Sequence, residues 1–179
     1  MKKHFQVLIA FFLLLFIESC SLENDVDQQT QNTPPLQGKA YTYLAIGDSY
    51  TIGESVCETC RFPAQLATKL ADLHPKNTYS HQIIARTGWT TTNLLSAIAA
   101  QNPSSNYDLV TLLIGVNNQY QNKPFSLYEK EFPELVNKAI AFARGDKSNV
   151  IVVSIPDYAF TPFGQASSNP AVISSQIDR

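Results

Sequence analysis

The sequence predicts an α/β fold built on a parallel β-sheet. Four short apolar runs of strand length alternate along the chain with segments in which apolar residues recur at helical spacing. Strands and helices that alternate in this way form parallel sheets joined by right-handed crossovers. The chain has 179 residues, which, less an N-terminal leader, is the size of one ordinary domain.

The first half of that domain provides two strands and two helices. Tyr41 to Ile46 is a β-rich apolar run that Gly47-Asp48-Ser49 ends abruptly, and Tyr79 to Ala85 is the second strand. Pro63 suits the first turn of the helix between them. The apolar residues of this helix are Phe62, Leu66, Leu70 and Leu73. The stretch from Thr90 to Ala100 is the second helix, with threonines available as N-caps.

The second half provides two more strands. Leu109 to Ile114 is a nearly continuous apolar run, which is typical of a strand covered on both faces. Val150 to Ile155 has the same pattern and predicts a fourth buried strand. With no further strand after it, the fourth strand is expected to form an unpaired edge.

A long amphipathic helix connects these two strands. Ser126 and Glu129 match a capping box at its start, and Gly145 is suited to its C-terminal end. Pro133 predicts a kink or a restart of the helix. The apolar residues of the helix are Phe132, Leu135, Val136, Ala139, Ile140 and Ala143.

The N-terminus predicts export. Lys2 and Lys3 precede an apolar stretch from Phe5 to Ile17, which is typical of a signal peptide and short for a membrane span. The stretch ends in Ile17-Glu18-Ser19-Cys20, which resembles a bacterial lipobox and implies lipidation of Cys20 after removal of the leader. Glu18 departs from that pattern, so ordinary signal cleavage and an uncleaved anchor remain alternatives. Residues 1–20 are therefore interpreted as a lipoprotein signal peptide.

Residues 21–39 are polar, contain Pro34-Pro35 and have no apolar period, which predicts a disordered tether before the domain at 40–179. A tether and a lipidated Cys20 together predict a protein anchored to a bacterial membrane, on its periplasmic or cell-surface side. The formal charge of −2 with both signs interspersed argues against nucleic acid as a partner.

Two further cysteines lie close together in Cys57-Glu58-Thr59-Cys60. In an exported protein this spacing favours a local disulfide, with two idle thiols as the alternative. Redox chemistry lacks a thioredoxin-like context, and a metal site requires more ligands than two cysteines. No metal or organic cofactor is expected.

Polar segments follow the first three strands at the point where each one ends. They are Gly47-Asp48-Ser49, Arg86-Thr87-Gly88 and Gly115-Val116-Asn117-Asn118. Each alone is ordinary turn chemistry. The carboxyl ends of parallel strands meet at one rim, however, and ligands bind there in such sheets. A serine nucleophile, two backbone N–H groups and an amide at that rim match the requirements of acyl transfer.

These segments resemble the SGNH (GDSL-like) hydrolase family. Gly47-Asp48-Ser49 resembles its first motif block, Gly88 its second and Gly115-Val116-Asn117 its third. The resemblance implies a flavodoxin-like three-layer α/β/α sandwich and an esterase. It further implies that Ser49 is the nucleophile and that the N–H groups of Ser49 and Gly88 and the amide of Asn117 form the oxyanion hole.

The family's fourth block, a D-x-x-H motif after a fifth strand, has no counterpart in this sequence. His4 lies in the signal, His74 ends the first helix and His81 begins the second strand, so none is suited to act as the base. Asp157, after the fourth strand, is a cleft carboxylate or simply a loop residue. The sequence therefore predicts a domain truncated before its last strand and nearly inactive.

The expected substrate is a small-molecule or glycan ester. Four aromatic residues near the rim are candidates for contact with a sugar or an acyl chain, or are ordinary core residues: Trp89, Tyr120, Tyr158 and Phe163. A catalytically inert, lipid-anchored binding module and a non-functional fragment are the alternatives to an esterase.

Overall fold

The computed structural model describes residues 38–179, and the predicted signal, Cys20 and most of the predicted tether lie outside them. Four strands form one sheet: β1 (Ala40–Gly47), β2 (Thr78–Ala85), β3 (Leu109–Leu113) and β4 (Val150–Val152). Their order is β2-β1-β3-β4, and every neighbouring pair is parallel. The predicted parallel α/β fold is confirmed.

Helices cover both faces of this sheet. They are α1 (Ser49–Ile52), α2 (Phe62–Leu73), α3 (Thr91–Gln101), α4 (Val116–Tyr120), α5 (Phe125–Phe142), α6 (Pro162–Gln165) and α7 (Pro170–Ile177). Right-handed connections place α2 on one face of the sheet, and α3 and α5 on the other. Within residues 38–179, every helix is too short or too polar to cross a membrane.

The main core lies between the sheet and the pair α3 and α5. Leu44 and Ile46 of β1 are fully buried because β1 is a central strand and alternate side chains of it point into this layer. Further members of the cluster are Ile84, Leu94, Ile98, Val110, Leu112, Leu135, Ala139 and Phe142. On the other face, the hydroxyl of Tyr43 is 2.7 Å from Thr111 Oγ1, and burial raises the pKa of Tyr43 to about 12.

Helix α3 begins as predicted, whereas the predicted start of α5 is wrong. Thr90 caps α3 in a capping box with Asn93. At α5 the N-cap is Pro124, and no side chain caps the helix. Ser126 is therefore already the second helical residue, where its hydroxyl cannot act as an N-cap. The predicted restart is also absent, since α5 continues through Pro133, which is exposed.

Strand β4 is shorter and more exposed than predicted. It covers only Val150–Val152, and the side chains of Ile151 and Val152 are each 48% exposed. The reason is the position of β4 in the sheet: among the described strands it pairs with β3 alone and forms an edge. An edge strand has no neighbour on one side, so a continuous apolar run does not guarantee burial.

Two local features lie at the ends of the early elements. Cys57 and Cys60 are joined by a disulfide that brackets a single 3₁₀ turn before α2. At the start of β1, the N–H of Lys39 donates to Asn77 Oδ1 at 3.0 Å, and its carbonyl accepts from the N–H of Thr78 at 3.0 Å. The last residue of the predicted tether is thus hydrogen-bonded to the domain.

Candidate active site

Ser49 is the first residue of helix α1, directly after the carboxyl end of β1. Because it opens a helix, its N–H group has no acceptor within that helix. The turn requires glycine at position 47, where a β-carbon would overlap the carbonyl oxygen of Leu113 and the hydroxyl of Thr51. The half-buried Ser49 side chain is therefore placed at the strand end by a sharp, crowded turn.

Asp48 caps helix α1 from a fully buried position. Its Oδ1 accepts a hydrogen bond from the N–H of Tyr50 at 3.1 Å, whereas Oδ2 is buried without a partner among the described residues. Burial raises the pKa of Asp48 to about 6, and the hydrogen bond from Tyr50 only partly opposes that rise. This carboxyl group holds the backbone of the Ser49 turn and becomes protonated in mildly acidic solution.

Gly88 lies in the loop between β2 and α3, at the same rim of the sheet. The register pairs Gly47 with both Ala85 and Leu113, so the three polar segments leave adjacent strands at one level. Gly88 has a φ of +80°, which favours glycine, and its carbonyl oxygen accepts from Gln121 Nε2 at 2.8 Å. Gln121, the C-cap of α4, thus holds the peptide between Gly88 and Trp89, next to the peptide that carries the Gly88 N–H.

Asn117 lies in α4, immediately after β3, and is 9% exposed. Its Nδ2 donates a hydrogen bond to the carbonyl oxygen of Trp89 at 3.0 Å. An amide nitrogen has two protons, so one remains available for a second acceptor. Gly115, two residues earlier, has a φ of +133°, and a β-carbon at this position would lie 2.7 Å from the ring of Tyr128. The structure thus joins the Gly88 loop to the Asn117 segment by direct hydrogen bonds.

The histidines of the described residues lie away from this rim. His81 pairs with Tyr43 in the register, four residues before the Gly47–Ala85 level, which corresponds to about 13 Å along the strand. His74 is the C-cap of α2, and α2 leads into β2 at the opposite end of the sheet. Neither side chain is placed to take a proton from Ser49.

Asp157 has a structural role in the loop after β4. Its Oδ1 accepts from the N–H of Ala159 at 2.9 Å, and its Oδ2 accepts from the hydroxyl of Ser174 at 2.5 Å. It therefore caps a 3₁₀ turn and connects that turn to α7. Among residues 38–179, no group of three or more His, Cys, Asp or Glu side chains is arranged to hold a metal ion.

Three of the four rim aromatics form one cluster. The ring centroids of Tyr120, Tyr158 and Phe163 are 6.0 to 6.1 Å apart, and Tyr120 and Phe163 are 54% and 64% exposed. Tyr120 is one helical turn beyond Asn117, which puts the two Cβ atoms about 5 to 6 Å apart. Trp89 is separate, because it packs against the main core.

A cavity of about 640 Å³ lies beside α5 and β4. Its apolar lining includes Phe125, Tyr128, Phe132, Val152 and Ile155. Ser49, Gly88 and Asn117 do not line it. The cavity therefore lies between α5, the edge strand and residues 176–179, beside Gly115 and Asn118 but not at the serine itself.

Sequence reasoning missed the buried polar residues that support these segments. Asn118 hydrogen-bonds Thr91 through both ends of its amide, and Thr91 in turn donates to Glu131. One signal was available, because Glu131 falls on the apolar stripe of α5, three residues after Tyr128 and four before Leu135. A carboxylate on such a stripe indicates a buried polar partner.

Comparison with known families agrees with this architecture. The profile of the GDSL-like lipase/acylhydrolase family matches residues 45–177, from the end of β1 to the end of α7. The chain belongs to this family. Ser49, Gly88 and Asn117 all fall inside the matched region. A comparison with curated proteins gave no match.

Several solved structures share the fold of this GDSL-like domain. TesA matches at 19% identity over 76% of this chain and 74% of that chain, with a TM-score of 0.50. AlinE4, an esterase of the SGNH-hydrolase family, matches at 17% identity over 79% of this chain and 74% of its own, with a TM-score of 0.53. An extracellular lipase from Streptomyces rimosus matches at 18% identity over 77% and 71%, with a TM-score of 0.50.

Proposed function

We propose that this GDSL-like domain is an ester hydrolase in which Ser49 is the nucleophile. The observation that supports this most is the convergence of three segments at one rim, with the side chain of Asn117 bonded to the loop that contains Gly88. Such a rim brings the Ser49 hydroxyl to the same end of the sheet as the N–H groups proposed to act as oxyanion donors. Family membership points to the same activity.

In the proposed reaction, Ser49 Oγ attacks the carbonyl carbon of the ester and loses its proton to a base. The carbonyl oxygen becomes an oxyanion, which accepts hydrogen bonds from the N–H groups of Ser49 and Gly88 and from the free amide proton of Asn117. Collapse of this intermediate expels the alcohol, which takes up a proton. Water then attacks the acyl-serine, the acid leaves and Ser49 regains its proton.

The described residues provide no base for this scheme. The family resemblance implies a histidine, but His74 and His81 of the described residues lie at the other end of the sheet. Triad enzymes that lose the base retain only the rate that binding and the oxyanion hole provide, with losses on the order of 10⁶ in subtilisin. We therefore expect slow turnover of activated esters. An inert binding module is the second candidate, and the positions of these two histidines favour it.

The proposed substrate is an acyl ester that places its apolar part over the exposed rings of Tyr120 and Phe163. We also propose that a lipid on Cys20 anchors the protein to a bacterial membrane. The leader and lipobox support that proposal, which concerns residues outside the described range.

A serine-directed label separates the two candidate functions. Wild type and Ser49→Ala are incubated with a fluorophosphonate probe, and p-nitrophenyl acetate hydrolysis is followed in parallel. An esterase gives labelling and a slow burst of p-nitrophenol that Ser49→Ala abolishes. Equal signals in both proteins would contradict the assignment of Ser49, and no signal in either would favour the inert binding module.

A further inference from the structure

Glu131 is a buried carboxylate on the apolar stripe of helix α5. It is 9% exposed, and its neighbours on the stripe, Leu135, Ala139 and Phe142, belong to the main core. An apolar side chain at this place would pack without the cost of removing a charge from water. The polar character of Glu131 therefore needs an explanation other than packing.

The hydrogen bonds of Glu131 come from two hydroxyl groups at the start of α3. Thr91 Oγ1 donates to its Oε2 at 2.5 Å, and Thr92 Oγ1 lies 2.8 Å from both carboxylate oxygens. Among the described residues, the ion pairs involve other carboxylates, so Glu131 is balanced by hydroxyls alone. Its contacts point to the first turn of α3.

The contact with Thr91 fixes the direction of the next hydrogen bond. A threonine hydroxyl has one proton, and Thr91 gives it to Glu131, so Thr91 Oγ1 must accept from its other neighbour. That neighbour is Asn118 Nδ2, 2.7 Å away. The oxygen of the same amide then accepts from the N–H of Thr91 at 3.0 Å. The N–H of Thr91 and the hydroxyl that Glu131 orients thus require the same orientation of the buried Asn118 amide, and Glu131 supports it.

Both ends of this pair are adjacent to the proposed oxyanion donors. Asn118 follows Asn117, and Thr91 is two residues after Trp89, the carbonyl of which accepts from Asn117. A third bond connects Gln121 to the carbonyl of Gly88. The segment 88–91 is thus held against the segment 117–121 at three points, and the most buried of them is the one that Glu131 supports.

We propose that Glu131 is a positioning residue which, through Thr91 and Asn118, keeps the Gly88 loop and the Asn117 helix in register. It contacts neither substrate nor the reacting atoms. Its effect on catalysis depends on the proposed function, because it acts through the oxyanion donors of that site. Its effect on the order of the Gly88 loop does not depend on the proposed function.

Paired substitutions separate positioning from packing. Glu131→Gln keeps an acceptor for Thr91, and the Gln amide can donate to the rotated hydroxyl of Thr92. Glu131→Met fills the same space without an acceptor. Thr91→Val removes the relay itself with little change in shape. Glu134→Met, on the exposed side of the same helix, is the matched control.

Two readouts are measured on each variant. The first is amide hydrogen exchange by NMR: we expect Glu131→Met and Thr91→Val to speed exchange of the Thr91 N–H by about tenfold or more, while that of Leu94 stays protected. The second is hydrolysis of p-nitrophenyl acetate: we expect kcat to fall roughly ten- to hundredfold in these variants with KM little changed. Glu131→Gln and Glu134→Met should behave like wild type in both.

The outcomes distinguish the two proposals. Unchanged Thr91 exchange in Glu131→Met, or equal loss in Glu131→Gln, would overturn the role of Glu131. A loss of thermal stability without faster Thr91 exchange would also overturn it, since it would show a packing role. If wild type has no Ser49-dependent hydrolysis, the proposed function fails, and the exchange data still decide the role of Glu131.

Discussion

The side-chain amide of Asn117 donates to the main-chain carbonyl of Trp89 across 3.0 Å, so the segment after β3 holds the loop after β2. One amide proton is used in this bond and the other is free. The same residue therefore has a structural and a catalytic task in the proposed site. The bond from Gln121 to the Gly88 carbonyl has a structural task alone and is the comparison for Asn117.

Asn117→Ala removes both tasks, and we expect kcat for p-nitrophenyl acetate to fall by about a hundredfold or more. Gln121→Ala removes only the bond to the Gly88 carbonyl, and we expect a smaller fall of roughly tenfold. Steady-state kinetics with thermal melts of each variant measure the effect. If Asn117→Ala retains full kcat, the amide is not an oxyanion donor.

Imidazole added to the solution should act as the base that residues 38–179 do not provide. Because the histidines of the described residues lie at the far end of the sheet, Ser49 has no imidazole partner among them. We expect up to 0.2 M imidazole to raise Ser49-dependent hydrolysis by about tenfold or more above the spontaneous rate. Ser49→Ala with the same imidazole supplies the background. Rates that rise equally in both proteins would show that imidazole attacks the ester directly.

The sequence predicted the rim well because the relevant rules are local. A parallel strand followed by Gly, Asp or Asn places polar groups at one edge, whichever order the strands take, so Ser49, Gly88 and Asn117 fell on one rim. For β4 the sequence supported two expectations, burial from the apolar run and an unpaired edge, and among the described strands the edge position decides the exposure of Ile151 and Val152.

The supporting polar residues illustrate a second limit. Periodicity shows that Glu131 faces the core, but the identity of its partners depends on how α5 crosses α3. No spacing rule relates Glu131 to Thr91, 40 residues earlier. The capping box at Ser126 failed for a related reason, since the conformation of Pro124 started the helix two residues earlier than the motif required.

The cluster of Tyr120, Tyr158 and Phe163 should select esters by the length of the acyl chain. We expect Phe163→Ala to lower kcat/KM for p-nitrophenyl octanoate by about three- to tenfold and to leave the acetate almost unchanged, because only a long chain reaches the ring. Phe160→Ala is the control, since Phe160 is 79% exposed and outside the three-ring cluster. Equal losses on both esters would rule out contact with the acyl chain.

Lipid attachment at Cys20 is tested by metabolic labelling in a bacterial host. We expect wild type to incorporate labelled palmitate and to fractionate with membranes, and Cys20→Ala to do neither. A Cys57→Ala, Cys60→Ala double variant should remain labelled, because the structure joins those two cysteines in a disulfide. Palmitate in the Cys20→Ala protein would place the modification elsewhere.

Asp48 should make the stability of the domain depend on pH. Its folded pKa is raised by burial to about 6 from an ordinary value of 3.8, so the folded state favours the protonated form. Protonated Asp48 therefore makes its full contribution to the free energy of unfolding below pH 4, and this contribution is lost as the pH rises through 6. The ionised carboxylate is unfavourable in the folded state because its Oδ2 is buried without a partner among the described residues.

Asp48→Asn keeps the acceptor for the N–H of Tyr50 and stays neutral at every pH. We expect the difference in free energy of unfolding between this variant and wild type to rise in favour of the variant by roughly 2 to 3 kcal/mol from pH 4 to pH 7. Urea denaturation at each pH measures it. Asp146→Asn is the control of opposite sign, because hydrogen bonds from Ser148 lower the pKa of the exposed Asp146. Relative to wild type, Asp146→Asn should lose stability as the pH rises toward neutral. If Asp48→Asn and wild type show parallel pH profiles of stability, Asp48 does not titrate as described.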